Sequence, residues 1–366
     1  MDLLKEPPIA YALYLGNGTV IKEILPEDVR FLRNILLSSK SDDAYVRSPL
    51  YFAFTGRKGL WHLHIGGTEV IACIHPNDSR TVLLFIPFLY DKISFKNFVD
   101  DLGSILRNGT NSSLFKFFAD FDNVHIARVP QTLLGFDTVN WCSLGTGFEV
   151  SREKKLDWIF PSYDVLLERS SAPKGPELAS YRNKLNKFKD RGVVAVPFGD
   201  LQASERVAVI RRLSQRWAKN KMAGEKSGCG PVFSEHELRE PYEHLADLAL
   251  NPGFSIDGIF LKRDDEFIAF RLWEYNGSRD NAVPSFAALY VSHEPGCCEY
   301  LHYKAAQRLL ELGYKEMCIG GSESEGLDAF KQKFCPVRRH ELYTVELDIY
   351  QIANLTRPHH ITALAA

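Results

Sequence analysis

PSFAALYVSHEPGCCEYLHYKAAQRLLELGYKEMCIGGSESEGLDAFKQKFCPVRRHELYTVELDIY, residues 284–350, carries hydrophobic spacings of two kinds, and their order decides the fold. The apolar run at 285–291 has strand length, and Glu294-Pro295-Gly296 is a turn. From 299 to 312, Leu301, Ala305, Leu309 and Leu312 recur at three- and four-residue intervals. That spacing lines one face of a helix, leaves Lys304, Arg308 and Glu311 on the other, and ends at Gly313. A second strand at 315–319 follows at once. Strand, crossover helix, strand is a βαβ unit, so its two strands should run parallel. Gly320-Gly321 then leads into a short helix ended by Pro336, and an alternating strand follows at 341–350. Chemistry in such a unit belongs where strands end and helices begin, because a helix N-terminus presents unbonded N–H groups there.

Outward from this unit, the two halves of the chain share an order of elements without sharing sequence. The second half reads as a strand at 193–197, a long helix at 204–221, a helix near 235–250, strands at 255–262, 267–275 and 285–291, then the crossover. The first half reads as a strand at 19–25, a helix at 27–37 opened by Pro26, and an antiparallel meander at 60–65, 69–75 and 81–88. Tight turns at Gly66-Gly67 and Asn77-Asp78 join the meander, and a helix at 95–106 and a strand at 124–129 follow. Three antiparallel strands feeding a parallel βαβ pair is the order of the GCN5-related N-acetyltransferase (GNAT) fold, which the chain resembles. The expected fold class is α+β, two tandem GNAT-like folds with mixed central sheets. Residues 1–150 form a degenerate N-terminal copy and 151–366 a C-terminal copy carrying the active cleft, the two meeting around 151–170. In that fold the parallel strands splay apart and expose backbone groups that receive an acyl donor.

The bulk composition agrees with a globular chain. Its 366 residues are 45% hydrophobic and 25% charged, enough for two cores, and a net charge of -2 gives no global attraction to nucleic acid. Seven cysteines without a CxxC pair point to a reducing compartment. The N-terminus has no signal-peptide pattern, and the most apolar run, 82–90, is too short to span a bilayer. The expectation is a cytoplasmic protein without integral membrane association, with no cofactor and no metal. His62 and His64 share a strand face but have no evident third ligand.

Two motifs sharpen the resemblance. Lys174-Gly175, followed by Arg182-Asn183-Lys184-Leu185-Asn186-Lys187-Phe188 and Gly192, resembles the "KG…RNxLNxF…G" segment of the phosphatidylglycerol lysyltransferase C-terminal (DUF2156) family. Gly326-Leu327-Asp328-Ala329-Phe330-Lys331-Gln332-Lys333-Phe334-Cys335-Pro336 is similar to that family's "GLxxFKxKFxP". The resemblance is clearest from 156 to 350. It implies a tandem GNAT architecture related to the Fem ligases, whose known members move an aminoacyl group from a charged tRNA to an amine or hydroxyl. The family also has an acidic residue and an arginine near the end of the strand holding Ala287-Ala288-Leu289-Tyr290-Val291, and this chain lacks both. The amino acid is therefore unassigned.

From these readings come the candidate residues. Lys331, on the family's lysine, could stabilise the oxyanion of an ester aminolysis, while Lys333 reads as a surface charge. Glu323, Tyr290 and Glu274 are candidate proton-transfer groups near the splay. Lys174, Arg182, Asn186, Arg271 and Glu299 are candidate substrate-binding residues, with Glu299 in the first helical turn placed to hold an ammonium. Arg182, Lys187, Lys189 and Arg191, with Arg211, Arg212, Arg216, Lys219 and Lys221, make a basic surface for an aminoacyl-tRNA donor. The same residues also read as a solvated helix face. An acyl-CoA donor is disfavoured at 293–298, where one glycine, a proline and flanking Glu294 and Glu299 replace a glycine-rich pyrophosphate loop. The expected acceptor is a soluble small molecule or peptide. An acyl-CoA N-acyltransferase and a non-catalytic binding protein remain as alternatives. Residues 228–231 read as a mobile loop between helices and a candidate lid. Phe88, Leu89 and Tyr90, in a loop without glycine, predict that the first copy supplies structure and cleft wall.

Overall fold

Two mixed sheets account for the strand patterns. The computed structural model of the chain describes residues 13–15, 19–39, 41–108, 112–134, 148–151, 162–224, 234–275, 280–291, 294–321 and 325–347. In the first sheet the order is Leu13–Leu15, Thr19–Glu23, Leu60–Ile65, Thr68–His75, Asp78–Phe85, Asn123–Pro130, Leu342–Leu347, Phe148–Ser151. In the second it is Arg338–His340, Ser162–Leu166, Glu316–Cys318, Val283–Tyr290, Glu266–Glu274, Ile256–Arg263, Val194–Pro197. Each sheet contains a parallel pair: Asp78–Phe85 with Asn123–Pro130, and Val283–Tyr290 with Glu316–Cys318. The fold class is α+β with two mixed sheets, as the repeated order predicts.

The first sheet also takes a strand from near the end of the described chain. The strand Leu342–Leu347, counted from sequence with the second copy, lies in the first sheet between Asn123–Pro130 and Phe148–Ser151. Ser162–Leu166, at the start of the second half, pairs antiparallel with Glu316–Cys318 and Arg338–His340. The second sheet is thus drawn wholly from residues 162–340, while the first takes one strand, Leu342–Leu347, from the second half. The strand Ser162–Leu166 was hard to read because both its faces are covered. Ser162, Tyr163, Asp164 and Val165 are all buried, so its sequence lacks the alternation of a half-exposed strand.

Helices cover the sheets as their spacing requires. In the crossover helix Cys297–Glu311, Leu301, Ala305, Ala306 and Leu309 are buried in the second core. In Ala179–Lys189, Tyr181, Leu185 and Phe188 face the same core, which explains the hydrophobic half of the first motif. Two short helices absent from the sequence reading, Pro49–Thr55 and Ser113–Ala119, are each started by a serine whose Oγ accepts a backbone N–H, Ser48 from Tyr51 and Ser112 from Phe115.

The halves pack through apolar and polar groups. Val29 and Leu50 from the first half enter the second core, and Ala44 and Tyr45 pack with Ala282 and Cys318. Arg57 Nε pairs with Glu240 Oε1 at 2.6 Å, and Arg33 Nη2 donates to the Gly253 carbonyl at 2.6 Å.

Candidate active site at the strand fork

The splay expected between the parallel strands of the second sheet is present. Val283–Tyr290 and Glu316–Cys318 pair only at Val283 with Met317 and Pro284 with Cys318, so they part from Ser285 onward. On the other edge of the same strand, Ser285 faces Trp273 and Ala287 faces Leu272, which leaves Phe286 as the extra residue of a bulge at the mouth of the fork. One side of the crotch is closed by Tyr45. Tyr45, from the first half, donates its hydroxyl to the Ser285 carbonyl at 2.5 Å. Gly320 has φ +73, and a Cβ there would lie 2.7 Å from the Tyr45 hydroxyl, so glycine leaves the space that Tyr45 fills.

Beneath Ser285 lies a buried polar chain. Arg271 Nε donates to Ser285 Oγ at 2.9 Å, and Arg271 Nη1 donates to His302 Nδ1 at 2.8 Å. Because Nδ1 accepts, the imidazole carries its proton on Nε2, which faces Ser170 Oγ at 3.1 Å. His302 is fully buried and stacks on Phe334, and burial together with Arg271 holds its pKa well below the ordinary range.

A pocket of about 280 Å³ opens at the N-terminus of the crossover helix, lined by Lys184, Tyr290, 294–299 and Phe330. Glu299 is buried in its wall, with Oε1 3.5 Å from Lys184 Nζ and 3.7 Å from Lys333 Nζ. These are ion-pair distances rather than hydrogen bonds. Burial, then the neighbouring Lys184, lowers the Lys333 pKa. Glu294 pairs with Arg263 and, at 3.6 Å, with Arg191. Around the turn, four cations therefore face two carboxylates. Glu294 and Glu299 are thus each paired with two cations.

Gly296 has φ +100, and a Cβ on it would lie 2.2 Å from the Lys184 carbonyl and 2.9 Å from Phe188 Cβ. Its missing side chain lets the turn pack on the Ala179–Lys189 helix. That is a different use from bringing backbone amides up to a pyrophosphate.

The predicted residues fall into three groups. Tyr290 and Glu299 line the pocket, and burial raises the Tyr290 pKa, with Cys298 and Glu299 nearby adding to the rise. Arg271 lies at the crotch. The others are placed elsewhere. Glu274 is fully buried at the junction of the two halves, where its Oε2 accepts from Ser48 Oγ at 2.5 Å and from the Leu50 N–H at 3.0 Å. Lys331 donates to the Gly321 carbonyl, and Arg182 Nη1 donates to the Gly175 carbonyl at 3.0 Å, so both tie down loops. Lys174 and Asn186 are exposed. Glu323 and residues 228–231 lie outside the described residues.

Lys184 and Lys333 are the residues that sequence reasoning missed, and Tyr45 is a third. Lys333 had been read as a surface charge; its position two residues after Lys331 swings it to the opposite side of the turn, toward Glu299. The basic surface is partly neutralised, Arg211 by Asp247 and Arg216 by Glu266. The two cysteines at the helix start are poor nucleophiles, since burial pushes both thiols up to about 12. His62 and His64 both face Glu69. No helix among the described residues is long and apolar enough to cross a membrane.

No protein-family model matches the sequence, and no curated protein matches it. Solved structures do. A conserved protein of unknown function from Bacteroides thetaiotaomicron superposes with a TM-score of 0.62 at 15% identity, over 89% of this chain and 99% of that one. The C-terminal (DUF2156) domain of a putative lysylphosphatidylglycerol synthetase from Agrobacterium fabrum gives 0.55 at 14%, over 90% and 95%. L-PGS from Bacillus licheniformis gives 0.54 at 15%, over 92% and 98%. A tandem GNAT protein from the clavulanic acid biosynthesis pathway gives 0.50 at 9%, over 90% and 98%. At these identities the likeness establishes the architecture: the chain has the tandem GNAT fold, matched over nearly its whole length.

Proposed function

We propose that the protein is an acyl-group transferase that takes an aminoacyl group from an aminoacyl-tRNA and passes it to the amine or hydroxyl of a soluble small molecule or peptide. The observation that carries this reading is the buried Glu299 carboxylate in the pocket wall beside the fork, its Oε1 3.5 and 3.7 Å from the Lys184 and Lys333 ammonium groups. A carboxylate in that place complements the ammonium of an aminoacyl ester, which a simple acyl thioester lacks. Lys184 and the helix N-terminus complement the phosphates that follow the ester. Motif resemblance and architecture support the same choice.

In the reaction, the acceptor nitrogen or oxygen attacks the ester carbonyl, the tetrahedral intermediate collapses, and the ribose hydroxyl leaves with the proton the acceptor gives up. Tyr290, which lines the pocket and whose phenol burial keeps protonated, is the donor this reading assigns to the leaving oxygen. Lys333, with its lowered pKa, is the lysine suited to accept a proton from the attacking amine. A second reading, acyl-CoA N-acyltransferase, is favoured by the surplus of cations around the turn at 294–299 and opposed by the use of Gly296 for helix packing.

Both readings meet in one experiment. The protein is incubated with a mixture of charged tRNAs, and separately with acyl-CoAs, with a cell extract supplying acceptors, and consumption of each donor is followed. The expected result is loss of the aminoacyl ester, steeply reduced by salt and by Glu299→Gln. Acyl-CoA consumption with no response to charged tRNA would sink the first reading.

A further inference from the structure

Arg271 is a buried cation with no anion. The whole residue is 5% exposed, and the acceptors it meets, Ser285 Oγ and His302 Nδ1, are neutral. Burial lowers its pKa, and the ionisable neighbours that act against this are Cys298, Tyr45 and Tyr181, a thiol and two phenols that burial in turn keeps protonated. No described carboxylate forms an ion pair with it. Arg128 makes the comparison plain: it is similarly enclosed, but Asp43 grips it through Nε at 2.5 Å and Nη2 at 2.8 Å. Half-buried Arg57 and Arg263 likewise have Glu240 and Glu294. An uncompensated guanidinium costs several kcal/mol to bury, and a fold keeps one where it serves something other than stability. The site is also built. His302 can accept from Arg271 because its Nε2 is turned to Ser170, and Ser170 is anchored through its carbonyl by the Tyr181 hydroxyl at 2.8 Å. Ser285 is the first residue beyond the last paired position of the parallel strands, so the cation sits at the crotch where the fork opens.

We propose that the crotch of the fork is a carboxylate-binding site in which Arg271 supplies the countercharge. This deepens the transferase reading and rests on it for the fork's role. What enters the fork is acidic, either as the side chain of the transferred aminoacyl group or as the carboxylate of an amino-acid or peptide acceptor. Tyr45 and the Phe286 bulge form the neutral walls against which the rest of that group lies.

Isothermal titration of the full chain with three small probes tests this without any donor or transfer. L-aspartic acid α-amide carries only a side-chain carboxylate, as an acidic aminoacyl ester would. L-alanine carries only an α-carboxylate, as an acceptor would, and L-alaninamide carries neither. The expected result is that one carboxylate probe binds at least about tenfold tighter than alaninamide, the size of a charge-assisted hydrogen-bonded contact. Which of the two binds identifies the source. Arg271→Met should abolish the difference and leave the melting temperature unchanged or higher, whereas Arg271→Lys should keep part of it. Equal titration by alaninamide, no binding of either carboxylate probe at about 10 mM, or an unchanged preference in the Met variant would overturn the proposal. So would an Arg271→Met protein that does not fold, since the cation would then be structural. A negative titration leaves the donor experiment to stand or fall by itself.

Discussion

Glu274 is the residue whose placement changes its meaning most, and its replacement gives a quantitative test. Its Oε2 takes both the Ser48 hydroxyl and the Leu50 N–H, the second of these at the start of the Pro49–Thr55 helix, so one carboxylate ties the second sheet to the first half of the chain. Glu274→Ala strands two buried polar groups, each costing about 1–3 kcal/mol, and recovers part of that by no longer desolvating a carboxylate. The net expectation is a loss of about 2–4 kcal/mol. Glu274→Gln keeps an oxygen where both bonds converge, so its cost at low pH should be about 1 kcal/mol.

The pH dependence follows from burial, which raises the Glu274 pKa. A raised folded-state pKa contributes stability that is fully present below the unfolded value and is lost as pH rises through the folded one. The Gln variant lacks this loss, so it should gain on the wild type as pH is raised from about 5 to about 8. Urea unfolding followed by tryptophan fluorescence, with buried Trp273 as a neighbouring reporter, reads both effects. The reasoning fails if the Ala variant unfolds within about 0.5 kcal/mol of wild type, or if Gln is as damaging as Ala. A folded Gln variant that has lost transfer would restore Glu274 as a proton-transfer group.

Gly296→Ala should cost more than about 2 kcal/mol, because the new Cβ meets the Lys184 carbonyl at 2.2 Å and the backbone is at φ +100. Gly67→Ala, at φ +82 with open space around it, should cost about 1 kcal/mol; similar losses in the two variants would remove the packing argument. His340 gives a pH signature of its own. Its Nε2 lies 2.7 Å from Asp164 Oδ2, and that hydrogen bond raises its pKa. Stability from the pair is full below the unfolded value near 6.5 and is lost as pH rises through the folded one. The unfolding free energy should therefore fall, relative to a variant without the pair, as pH rises across that range, and Asp164→Asn should flatten the difference; a slope that survives in Asp164→Asn would assign the titration elsewhere.

Periodicity carried most of the fold and little of the site. Leu301, Ala305 and Leu309 are spaced for a helix face and are buried on one, and Leu60–Ile65 was legible to the residue because tight turns bracket its meander. The placement of Leu342–Leu347 in the first sheet was not legible. Leu342–Leu347 alternates in either sheet, and no local pattern says which sheet a strand joins. Site residues failed for a related reason. Lys331 and Lys333 differ by two positions on the same turn, and only the packing of Phe330 and Phe334 decides that Lys331 reaches Gly321 while Lys333 reaches Glu299. Glu274 near a strand end reads equally as a base or as an acceptor for someone else's hydroxyl. Its partners lie more than two hundred residues away in the chain.

The two forks explain why the repeated halves have diverged. In the first sheet the parallel strands stay paired from Thr81 with Asn123 to Leu84 with Ile126, four positions against two in the second. Past that point Phe85 is buried against Phe52, ring centroids 5.2 Å apart, in an apolar cluster with Leu60 and Ile71. An acyl chain would have to displace that packing. Just beyond, Arg128 adopts φ 57, rare for a residue with a side chain, and turns its guanidinium onto Asp43 and over the Tyr45 and Tyr51 rings at 5.1 and 5.4 Å. The strained backbone therefore holds the support that fixes Tyr45, and Tyr45 is the group that reaches Ser285 in the other fork. On this geometry the first half's fork has become the mount for a wall of the second. The strand Leu342–Leu347 ties that mount to the second sheet, because it pairs in the first sheet while Arg338–His340, two residues before it, pairs in the second.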